Sequence, residues 1–183
     1  VFSSDINKLK NTLAAIDRES FDASISSILK AKKIYIIGVR SASYLAGFLG
    51  FNLNFIFDNV ETITANAITD LFEQLINIGK DDVIIGISFP RYSRRTVNAL
   101  KYAGSCGATV VALTDSKNSP LNEYADYSLY AMSDMASFAD SLVAPLSLIN
   151  SIIVALASLK GEEVSNKFLK LESIWDEYDV YDK

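Results

Sequence analysis

The sequence predicts an α/β fold: a three-layer αβα sandwich whose middle layer is a five-stranded parallel sheet. Three observations predict it. Short apolar runs without polar alternation recur along the chain, the pattern of strands buried on both faces. Stretches of helical spacing separate those runs, and strands that alternate with helices form a parallel sheet covered on both sides. The 183 residues, 50% hydrophobic and 21% charged, suit one domain with a sizeable core, spanning 1–183.

The N-terminal segment, about 1–31, reads as one or two helices. Leu9, Leu13 and Ile16 recur at helical spacing, as do Phe21, Ile25, Ile28 and Leu29, and Ser20 is placed to cap the second helix. The sheet core, about 33–131, opens with an apolar run from Lys33 to Gly38. A polar turn, Val39 to Ser43, leads to a helix from Tyr44 to about Phe57, in which Gly47 and Gly50 allow a neighbour to approach closely. Val60 to Thr64 is a weaker strand, and Ile68 to Ile78 is helical, with Leu71, Phe72, Leu75 and Ile76 on one side. Asp82 to Ser88 is a buried strand, followed by Phe89-Pro90-Arg91-Tyr92-Ser93 and a helix from about Arg94 to Ser105. Ala108 to Thr114 is a fourth strand. After the loop from Asp115 to Pro120 and a helical turn, Tyr127 to Ala131 forms an edge strand. C-terminal helices, about 137–179, complete the chain: a long one from about Ser137 to Lys160, then an acidic one.

The stretch Leu142 to Leu159 is about long enough to span a bilayer. It carries Pro145, Ser147, Asn150, Ser151 and Ser158 without flanking clusters of Lys and Arg, which is the composition of a buried or interface helix, so no membrane partner is expected. The N-terminal decapeptide VFSSDINKLK lacks an apolar signal core. A single cysteine, Cys106, rules out an internal disulfide framework and fits a reducing, cytoplasmic setting.

Composition also excludes chemistry. The chain has no histidine. That removes the commonest general base, the commonest transition-metal ligand and the usual partner of a nucleophilic serine. Neither a metal nor a cofactor is expected: no GxGxxG or GxxxxGK[ST] pattern occurs. The net charge of −5 argues against direct nucleic-acid contact by this chain, which needs a clustered basic face.

Right-handed crossovers bring every strand's C-terminal end to one edge of the sheet, and ligands of open α/β sheets bind in the crevice outside it. Two loops there share one design. The first supplies Ser41 and Ser43 ahead of a helix; the second supplies Ser88, then Ser93 and Thr96 at a helix start. The unpaired amides and positive pole of a helix N-terminus attract anions, and small hydroxyls add donors without bulk. Either loop taken alone reads as a helix N-cap. The pair of loops side by side reads as a phosphate cradle, with Thr96 the residue best suited to capping. Arg40, Arg91, Arg94 and Arg95 stand nearby, either as charge-assisted donors or as solvated surface. The third loop, around Thr114 and Ser116, reads as a turn and cap.

Three blocks carry a family resemblance: IIGVRSAS at 36–43, DVIIGISFPRYSRRT at 82–96, and VALTDS at 111–116 with Ser119-Pro120-Leu121 and Ala125-Asp126. In this order they resemble a sugar isomerase (SIS) domain, and the middle block resembles the effector domain of RpiR-type transcriptional regulators. The resemblance implies a flavodoxin-like sheet, a homodimer or higher homo-oligomer, and a phosphosugar held by Ser41, Ser43, Ser88, Ser93 and Thr96. Many members have a Ser-Gly pair after the second loop's first serine, where this chain has Phe89-Pro90. The resemblance also implies that DNA is contacted only through a helix-turn-helix domain outside this chain. The groups that read the sugar hydroxyls fall in unplaced loops, including 131–137, or on a partner subunit.

The expectation is therefore a phosphosugar sensor with no catalytic residue, and the alternative is an aldose–ketose isomerase. Isomerisation needs a base near C1–C2 and usually an acid for ring opening. Glu61, Glu73, Asp134 and Asp140 are the candidate carboxylates. Glu61 and Glu73 read equally as surface residues, and the two aspartates as acids near a helix start. A third reading is a structural dimerisation module built on the long apolar helix.

Overall fold

The computed structural model describes residues 1–64, 68–134 and 140–181. Its centre is a sheet of five parallel strands in the order β2–β1–β3–β4–β5: β1 Ile34–Gly38, β2 Val60–Ile63, β3 Val83–Ile87, β4 Thr109–Thr114 and β5 Tyr127–Tyr130. Every residue of β1 and β3 is buried, as strands without polar alternation demand. The edge strands β2 and β5 are only partly covered. The register pairs Ile36 with Thr62 on one side and Ile85 on the other, then Ile85 with Val111 and Leu113 with Leu129.

Alternation along the strands splits the core in two. Ile34 and Ile36, Val83, Ile85 and Ile87, Val111 and Leu113, and Leu129 point to one face. There they meet α2 Arg18–Lys30, α3 Ser41–Ile56 and α6 Val143–Lys160. Tyr35 and Ile37, Ile84, and Val110 and Ala112 point to the other, under α4 Ile68–Leu75 and α5 Arg94–Ser105. Two further helices, α1 Phe2–Ala15 and α7 Glu162–Glu177, pack outside α6 and α3. The expected three layers are present.

Gly50 behaves as expected: a Cβ there would strike the Thr62 side chain, so its absence lets α3 lie on the edge strand. Gly47 does not, because nothing stands within 4 Å of where its Cβ would be. The N-terminal segment is two helices, and the cap of α2 is Asp17 rather than Ser20. The Asp17 carboxylate accepts the Glu19 amide at 3.1 Å, and Ser20 donates its hydroxyl to the same side chain at 2.8 Å. A carboxylate is the stronger acceptor at the positive pole of a helix, so the serine is recruited to it.

Helix α6 begins at Val143; the expected start at Ser137 lies outside the described residues. Pro145 sits in its first turn, where an amide has no intrahelical partner to lose. By length and composition α6 is apolar enough to cross a membrane. In this fold Ala144, Pro145, Leu148, Ile149, Ile152 and Leu156 bury one stripe of it. Helix α4 ends at Leu75, one turn short of the expected Ile78.

Candidate functional site

The strand order reverses between β1 and β3, so their outgoing chains leave toward opposite faces and open a crevice at the C-terminal edge. A cleft of about 1260 Å³ lies there, lined by the loops after both strands and by Asp140 and Leu142. Ser41, Ser43, Ser88 and Ser93 all line it, as do Arg40, Arg91, Arg94 and Arg95. The two loops singled out by sequence are thus neighbours.

The first loop is shorter than its polar composition suggests. Helix α3 starts at Ser41 rather than Tyr44, so Ser41 to Ser43 form its first turn. Arg40 makes the reversal alone, at φ 60° and ψ −126°, a backbone region that suits glycine and costs other residues about 1–3 kcal/mol. Among the described residues no side chain caps α3. Ser43 donates its hydroxyl to the Arg40 carbonyl at 2.6 Å, and its amide donates to the same oxygen at 3.0 Å. Ser41 donates its hydroxyl to Asp140 Oδ2 at 3.0 Å.

The second loop continues the sheet for one residue, since the Ser88 amide donates to the Leu113 carbonyl at 3.1 Å. Ser88 is buried, and its Oγ accepts the Ser93 amide at 3.0 Å. That bond closes the loop over Phe89 to Tyr92, while Phe89 anchors it by joining the core. Ser93 caps α5, its Oγ accepting the Thr96 amide at 3.4 Å. A hydroxyl that accepts still has its hydrogen to give. Ser88 and Ser93 therefore offer donors to the cleft, which is also lined by Arg91 of the same loop and by Arg94 and Arg95 in the first turn of α5.

Thr96 stands apart from the other four. It is fully buried and does not line the cleft. It belongs to the inward stripe of α5 with Ala99, Leu100 and Ala103, and its hydroxyl is buried without a hydrogen-bond partner among the described residues. The third loop is a turn and cap as expected. Thr114 donates to Ser119 Oγ at 2.8 Å, Ser119 accepts the Leu121 amide, and neither Thr114 nor Ser116 lines the cleft.

Local patterning missed two features. Tyr92 donates its phenol to Asp115 Oδ1 at 2.8 Å, bracing the second loop against the third. Burial, and then the Asp115 carboxylate, push that phenol above its ordinary pKa. The other is the contact of Asp140 with Ser41; sequence named Asp140 only as one of four candidate isomerase carboxylates, near a helix start. Among the candidate carboxylates it alone lines the cleft. Glu61 pairs with Lys33 on the edge strand, Glu73 lies on the exposed side of α4, and Asp134 is exposed. Among the described residues no group of acids and cysteine is arranged to hold a metal ion.

A parallel sheet of this order, with ligand loops meeting where the order reverses, is the doubly wound, flavodoxin-like class of fold. The SIS family model matches residues 27–155, and the chain belongs to that family. Within it, the chain is similar to the sugar isomerase domain of an RpiR transcription factor from Sphaerobacter thermophilus. Identity is 30% and the TM-score 0.89, over 94% of this chain and 96% of that one. It is 33% identical over 123 residues to an uncharacterized HTH-type transcriptional regulator of Haemophilus influenzae, covering 67% of this chain and 42% of the regulator. The chain spans about half the length of such regulators. The Vibrio vulnificus NanR protein, solved in complex with ManNAc-6P, shares the fold at a TM-score of 0.82 and 19% identity, over 96% of this chain and 67% of that one. An N-acetylmuramic acid 6-phosphate etherase of Francisella tularensis is 39% identical over 59 residues, 32% of this chain and 20% of the enzyme.

Proposed function

We propose that this SIS domain is the effector half of an RpiR-type transcriptional regulator and senses a sugar phosphate in the cleft between the first and second loops. One observation carries the reading: at the reversal of strand order, serine hydroxyls and helix N-termini converge with four arginines on one cleft. Such donors match a phosphate's charge and its acceptor oxygens. Arginine-rich and serine-lined, the site is built to bind rather than to transfer protons. The similarity to helix-turn-helix regulators supports a sensor, in which ligand binding shifts the protein between states of different DNA affinity.

Isomerase chemistry fits less well. Among the described residues one carboxylate, Asp140, stands in the cleft, and the chain has no histidine to serve as its acid partner. A second copy of the chain would bring none either. A homodimer agrees with the exposed apolar residues on the packed helices α3 and α6, among them Tyr44, Phe51, Val154 and Leu159, which a second copy can cover.

The sensor reading is tested in the full-length regulator with its operator DNA. Adding a phosphosugar that binds the domain should change operator affinity at least fivefold, while the protein leaves that sugar unconverted. Operator affinity that ignores every bound phosphosugar, or turnover of the sugar, would sink the reading.

A further inference from the structure

The cleft has a polarity that a bare phosphate site does not need. Among the described residues its charged lining consists of Arg40, Arg91, Arg94, Arg95 and a single carboxylate, Asp140. A carboxylate beside an anion weakens the anion's binding, so its presence calls for a ligand group that benefits from it. The serines are polarised in the same sense. Ser88 and Ser93 each accept a backbone amide and keep a hydrogen for the ligand. Ser41 and Ser43 have turned theirs away, Ser43 to the Arg40 carbonyl and Ser41 to Asp140. The second-loop side is thus rich in donors, whereas the corner of Ser41 and Asp140 is rich in acceptors. Sugar hydroxyls and amide N–H groups are donors that seek such acceptors.

We infer that Asp140 is the residue that reads the sugar: its carboxylate accepts hydrogen bonds from hydroxyl or amide N–H groups of the ligand, while the phosphate lies toward Ser88, Ser93 and the arginines. This rests on the sugar-phosphate reading above and adds an orientation to it. Asp140 joins the cleft from a position 99 residues away from Ser41 in sequence, so one loop of the fold supplies phosphate recognition and a remote segment supplies selectivity. The Ser41 hydroxyl holds the carboxylate in place and, being an acceptor as well, adds a second contact for the sugar.

The test compares two probes on the same proteins by calorimetry. The probes are inorganic phosphate and whichever of glucose 6-phosphate, ribose 5-phosphate and N-acetylmannosamine 6-phosphate binds the wild type best. In Asp140→Asn, which keeps the shape and removes the charge, the phosphosugar should bind about tenfold or more weakly, the effect of losing charge-assisted bonds. Inorganic phosphate should bind as well as before or better. Asp140→Ala, with a circular-dichroism check of folding, should repeat the pattern. Equal weakening of both probes would make Asp140 a mere support for the loop, and tighter or unchanged phosphosugar binding would make it only a repulsive neighbour. Either result overturns the inference. A wild-type domain that binds no phosphosugar overturns the sugar-phosphate reading itself, and the inference with it.

Discussion

At the scale of single residues, two side chains break local rules in ways that can be measured. Arg40 occupies a positive-φ position that glycine fills without strain. Because Arg40 is exposed, Arg40→Gly removes little packing, and the relief should raise stability by about 1 kcal/mol. That is a rise of about 2–4 °C in Tm for a chain of this size. The same change deletes a guanidinium from the cleft, so phosphosugar affinity should fall. Opposite movements of stability and affinity mark a strained residue retained for binding; a fall in both would contradict this. Thr96 carries a buried hydroxyl without a partner among the described residues, a desolvation cost of about 1–3 kcal/mol. Thr96→Val keeps the shape and should leave affinity unchanged while raising the denaturation midpoint. A loss of affinity would put Thr96 back among the ligand contacts. Sequence brought the four cleft serines to notice because hydroxyls before a helix are a local signal. Thr96 shared that signal, and only the inward stripe of α5 separates it from them.

At the scale of elements, the N-terminal helix is fastened by contacts that depend on pH. Ser141, just ahead of α6, donates to Asp5 Oδ1 at 2.8 Å. That bond, joined by Lys8, holds the Asp5 carboxyl below its ordinary pKa. The Met132 amide donates to Thr12 Oγ1 at 3.0 Å. A depressed carboxylate pKa contributes stability that is complete above the unfolded-state value near 4 and is lost as pH falls through the lower folded value. Hydrogen exchange in α1 should therefore quicken as pH drops below about 4, beyond the intrinsic pH effect on amide exchange. Asp5→Asn should show quicker exchange already at neutral pH and lose most of that acid response. An acid response that persists in the variant would assign it elsewhere. The inner strands β1, β3 and β4 could be read from sequence because near-continuous burial leaves them no polar alternation. Helix starts were harder. That of α3 depends on a one-residue reversal at Arg40, and the cap of α2 on a carboxylate that outcompetes the neighbouring serine.

At the scale of the whole molecule, sequence carried the layer architecture and the edge of the sheet where ligands bind, because strand–helix alternation enforces parallel strands and right-handed crossovers. It did not carry which loops touch. The partnership of Ser41 with Asp140 spans 99 residues and that of Tyr92 with Asp115 spans 23. Neither leaves a mark in any local window; both follow from the strand order and from where the chain returns after β5. That strand order makes the first and second loops adjacent, and the central claim depends on their adjacency. The most direct measurement is calorimetric titration of the domain with a panel of hexose, pentose and N-acetylhexosamine phosphates, repeated on Ser41→Ala, Ser88→Ala and the double variant, with folding checked by circular dichroism. Saturable one-site binding of at least one phosphosugar is expected, weakened in each single variant and abolished in the double variant while the fold is kept. Wild-type affinity retained in the folded double variant, or no binding across the panel, would contradict the central claim.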